Sequence, residues 1–118
     1  MKLIIRRNQA DVKGIFGGHK GVRFSLDARV EIDSKERSLI ERYKVGDHVL
    51  ASYEMPVKNS APIPFFVSVN DLVNGKSTET DDISTLLKLE DAIKEGCQNL
   101  KNWLAVMSTF GGEEVVEI

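Results

Sequence analysis

Val22-Arg23-Phe24-Ser25-Leu26-Asp27-Ala28-Arg29-Val30-Glu31-Ile32 alternates apolar and polar residues without a break. Successive strand residues point to opposite sides, so this run predicts a long antiparallel strand with one buried face and one wet face. Just before it stands Gly17-Gly18-His19-Lys20-Gly21, whose three glycines permit positive φ and suit a hairpin loop. Further upstream, Val12 to Phe16 reads as one strand and Leu3 to Ile5 as another, with Asn8-Gln9-Ala10-Asp11 as the turn between them.

Downstream of the run, Asp33 and Glu36 have the spacing of a capping box, and Leu39, Ile40 and Tyr43 make an apolar stripe. A short helix is therefore expected to about Lys44. Val45-Gly46-Asp47 turns the chain into a strand over His48–Met55, and the three prolines between 56 and 64 mark a loop because each removes a ladder donor. Phe65, Val67 and Val69 predict the next strand, ending at Asn70-Asp71. Asn74-Gly75 signals a turn, and Lys76–Asp82 reads as an exposed edge strand or a loop. From Ile83 to Ser108 no proline occurs, and Leu86, Leu89, Ile93, Gly96, Cys97, Leu100, Trp103, Leu104 and Met107 recur at three- and four-residue spacings. That pattern predicts a long amphipathic helix capped by Asp81 or Asp82. Gly111-Gly112 ends it, and Val115–Ile118 can add a last strand.

The resulting order is β-β-β-α-β-β-α-β. It implies an α+β fold, an antiparallel sheet with one short and one long helix packed on one face, and a single domain over residues 1–118. A chain of 118 residues with 42% apolar and 29% charged side chains can bury a core without metals or disulfides. Cys97 is the only cysteine, which excludes an intrachain disulfide and a multi-cysteine zinc site and points to a reducing, cytoplasmic setting. The three apolar residues before Arg6-Arg7 are too few for the core of a secretory signal, and no apolar run is long enough to span a membrane.

Charge is unevenly spread. Residues 1–24 hold Lys2, Arg6, Arg7, Lys13, Lys20 and Arg23 against the single acid Asp11, although the whole chain is at −2. Either this basic hairpin pairs with the acidic remainder, or it binds an anion. The anion reading centres on Gly17, Gly18, His19, Lys20 and Arg23. The loop is no Walker A motif, because His19 separates Gly18 from Lys20, no Ser or Thr follows, and a strand rather than a helix comes next. With an acidic chain and few aromatics in this half, sequence-specific nucleic-acid binding is not expected. His19 and His48 have no metal-ligand spacing to a carboxylate or to Cys97, which itself falls in the apolar stripe. No catalytic residue, metal or cofactor is assigned.

The long helix suggests an assembly surface. Its 26 or so residues would span about 39 Å, longer than strands of five to eight residues can cover. Leu86, Leu89, Gly96, Trp103, Leu104 and Met107 are accordingly expected at a subunit interface, most simply in a homodimer. Gly96 should mark a close backbone approach, since glycine inside a helix is about 1 kcal/mol worse than alanine. The function expected on these grounds is that of a small cytoplasmic interaction or assembly module. The alternative is an anion-binding or enzymatic domain using loop residues 17–23.

Overall fold

The computed structural model describes residues 1–13, 20–56 and 59–118. In it the alternating run is one arm of a long hairpin: β1 (Lys2–Lys13) pairs antiparallel with β2 (Lys20–Glu31), in register from Lys2 opposite Glu31 to Lys13 opposite Lys20. The expected turn at Asn8–Asp11 does not form. Twelve consecutive cross-strand partners on β2 outweigh the turn preference of Asn8 and Asp11, and the two upstream strands become one.

Helix α1 (Ser34–Tyr43) starts at the expected capping box: the Glu36 amide donates to Asp33 Oδ1 at 2.7 Å, and the Asp33 amide donates to Glu36 Oε1 at 3.1 Å. It stops at Lys44, which adopts the left-handed conformation. β3 (Val49–Met55) and β4 (Ile63–Ser68) follow as an antiparallel pair. An irregularity between Val49 and Ala51 leaves Leu50 unpaired in the register, so both Leu50 and Ala51 are buried.

Where Asn70-Asp71 is expected to end a strand, the chain instead forms helix α2 (Val69–Asn74). Ser68 caps it in a second box, its Oγ accepting from the Asp71 amide at 3.1 Å while its own amide donates to Asp71 Oδ2 at 2.9 Å. Gly75, at φ 92°, then turns the chain into β5 (Lys76–Thr80), the edge strand allowed by the sequence, which pairs with β2 over Phe24–Ala28. Helix α3 (Ile83–Met107) completes the fold. No strand forms at Val115–Ile118; these residues are exposed and meet no sheet edge.

The class is thus α+β with antiparallel sheets, a short helix and a long one, as expected. Among the described residues the sheets are two: β1-β2-β5 and β3-β4. One cluster of buried side chains joins Leu26, Ala28 and Val30 of β2, Val69 and Leu72 of α2, Leu50, Ala51 and Val67 of the second sheet, and the inner face of α3. The molecule measures 69 × 28 × 24 Å with a radius of gyration of 18.5 Å, against about 13.5 Å for a rounded domain of this length. The outer end of the β1–β2 hairpin, residues 20–23 with their partners 10–13, extends where β5 no longer flanks β2, while just beyond α3 the Phe110 ring lies 6.1 Å, between centroids, from that of Tyr43 of α1.

Candidate functional site

Most of the expected anion site falls where nothing is described. Gly17, Gly18 and His19 lie outside the described residues, and Lys20 opens β2 opposite Lys13. Arg23 is engaged within the chain, its Nε donating to Glu79 Oε2 of β5 at 3.1 Å. Arg7 turns to the helix side of the sheet, where its Nε lies 2.6 Å from Glu90 Oε1. Lys94 approaches the other oxygen of Glu90 at 3.3 Å. The Glu90 side chain is only 6% exposed, and an unpartnered carboxylate there would be costly. The hydrogen bond from Arg7 is the main cause that holds Glu90 below the ordinary glutamate range, against an opposing push from burial, with Lys94 adding to the depression. Part of the basic hairpin therefore pairs with acids of the C-terminal half.

Most of the expected interface is placed inside the chain. Leu86, Leu89, Gly96 and Leu104 are buried, and Trp103 and Met107 are half-buried against the core. The stripe of α3 is covered because two sheets lie along it in succession. Its first half meets the three-stranded sheet through the Arg7–Glu90 pair, and its middle crosses β3 at Gly96. Its last turns reach His48, whose ring stands edge-on to Trp103 at 5.7 Å between centroids. A Cβ on Gly96 would lie 2.8 Å from the Leu50 carbonyl carbon and closer still to its oxygen, so the expected close approach is to β3 of the same chain. Cys97 is buried alongside, and desolvation pushes its thiol up to about 11.

Apolar side chains stay exposed on the β3–β4 sheet, at Val49, Ile63 and Phe66, and at the foot of the arm, where they border a concave site. Arg7, Asn8, Gln9, Phe24, Ile83 and Leu86 line a notch of about 260 Å³ between the hairpin and the start of α3. Alternate residues of a strand share a face, so Val22 and Phe24 continue the core face of Leu26 and Ala28 outward past the point where α3 begins. Val22 is 42% exposed, and Ile83 and Leu87, one turn apart on α3, are 48% and 49% exposed. Asp82 anchors that end of the helix by accepting from the Ser84 amide and hydroxyl at 3.0 and 2.9 Å. These hydrogen bonds, the Ser84 hydroxyl first, lower its pKa. Sequence reading missed this notch. The available signal was that the apolar face of β2 extends further than the five-residue segment 76–80 can flank.

Among the described residues no helix is long and apolar enough to cross a membrane, and no three His, Cys, Asp or Glu side chains converge on a metal-sized site. Against known protein families, curated proteins and solved structures, the chain finds no match.

Proposed function

We propose that this chain is a cytoplasmic interaction module that works as a homo-oligomer, with two copies meeting through the projecting β1–β2 arm and the notch at its foot. The observation that carries the reading is the arm itself. A two-stranded ribbon gains little stability in isolation, yet here its core-facing side runs on past its own helix with Val22, Phe24, Ile83 and Leu87 short of cover. A second copy supplies what is missing. The arm's sequence ends in Lys13 and Lys20, while Asp81 and Asp82 stand where β5 passes into α3. A two-fold axis would bring one copy's basic arm to the other's acidic foot and cover the apolar residues between.

Sedimentation velocity across micromolar concentrations tests this. The expected species has twice the 13.2 kDa chain mass, and replacing the exposed Leu87 with lysine should shift it toward monomer without unfolding the protein. A clean monomer throughout the range refutes the assembly.

A further inference from the structure

A second cavity lies on the opposite, solvent-facing side of the three-stranded sheet, away from the notch and independent of any assembly. It is a half-open hollow of about 300 Å³ beside the junction of α2 and β5, with Ile4, Arg6, Asp27, Arg29, Gly75 and Ser77 in its wall; Lys76 also borders it, its ammonium 5.2 Å from the centre of the Phe65 ring. The register explains how these residues meet. Ile4 is opposite Arg29, Arg6 opposite Asp27, and Asp27 opposite Ser77, so all five side chains rise from one face. Gly75 closes the rim at φ 92°, a conformation in which a side chain would be strained.

Arg6 and Asp27 are opposite charges directly across a strand pair, an arrangement that ordinarily closes into an ion pair. Among the described residues neither lies within 4.0 Å of an opposite charge. Arg29 gives one nitrogen to Glu31 at 3.1 Å, which leaves other donors of its guanidinium for a ligand. The cavity thus presents two guanidinium groups, one carboxylate with no ion-pair partner, a hydroxyl and an apolar floor at Ile4. A simple anion would use the arginines but meet the charge of Asp27. A simple amine would do the reverse.

We propose that this cavity binds a free α-amino acid with a short aliphatic side chain. Its carboxylate sits at Arg6 and Arg29, its ammonium at Asp27, and its side chain over Ile4. Charge-assisted hydrogen bonds at both ends then favour the zwitterion over either half of it.

The test is a set of amide NMR titrations of the full chain with L-leucine, 4-methylpentanoate (no ammonium), 3-methylbutylamine (no carboxylate) and sulfate. L-leucine should give saturable shifts at Ile4, Arg6, Asp27, Arg29 and Ser77, with each of the other three weaker by about tenfold or more. Asp27→Asn should reduce L-leucine to the level of 4-methylpentanoate, and its own spectrum reports whether it is folded. No saturable shift at tens of millimolar L-leucine overturns the proposal. So does equal binding of 4-methylpentanoate or sulfate, or unchanged L-leucine binding by folded Asp27→Asn.

Discussion

Replacing Gly96 with alanine sets two effects of known sign against each other. Helix propensity alone would stabilise α3 by about 1 kcal/mol. Packing opposes it, because the new methyl would fall 2.8 Å from the Leu50 carbonyl carbon and 2.9 Å from the Leu50 Cβ. The nearest atoms are backbone of β3 at the irregularity, between the paired Val49 and Ala51, so they cannot swing aside as a side-chain end would. Overpacking of this kind costs about 1–3 kcal/mol, and contact with backbone places the cost toward the upper end. The net expectation is a loss of about 1–2 kcal/mol. With an unfolding entropy of about 2.1 cal/mol/K per residue, a chain of this length should melt about 4–8 °C lower. Thermal melts by circular dichroism at several protein concentrations measure it, since assembly makes Tm concentration-dependent. Gly21→Ala is the control: no described residue lies within 4 Å of the added methyl, and the change should stay within about 0.5 kcal/mol. If Gly96→Ala melts at or above the parent temperature, α3 does not approach β3 as described.

The carboxylate of Glu90 is held below its ordinary value of 4.5 by Arg7 and Lys94. Its stabilising contribution is therefore fully present above that value and is lost as pH falls through the lower folded-state pKa. Glu90→Gln should be less stable at pH 7 and flatter below 4.5 in urea melts; parallel acid losses in the two proteins would contradict the pairing. The Cys97 thiol, pushed up to about 11 by burial, should resist a disulfide reagent at pH 8 in the folded protein and react once urea unfolds it. Rapid native-state labelling would show that the thiol is accessible.

Local patterns were legible where a residue's neighbours in sequence are also its partners in space. The alternation from Val22 to Ile32 marks β2, the Asp33–Glu36 spacing marks α1, and the stripe from Leu86 to Leu104 marks α3, each set by the period of one backbone conformation. The helix α2 was written in the same way, in Ser68 and Asp71, but its six residues are short enough for the strand preference of Val67 and Val69 to mask it.

Other features depend on residues far apart in the chain. Whether Asn8–Asp11 turns or stays extended was decided by the strand lying beside it. That most of the stripe of α3 is covered within its own chain follows from two sheets sharing one helix face, a fact of topology that helix length alone could not reveal. The assignment of Arg7 to Glu90 and Arg23 to Glu79 required elements separated by 83 and 56 positions to be brought together. Sequence periodicity determined which face of each element is apolar, because that is a property of backbone geometry. Only the tertiary structure decided which apolar faces cover one another and which charges meet, because those depend on where the chain returns.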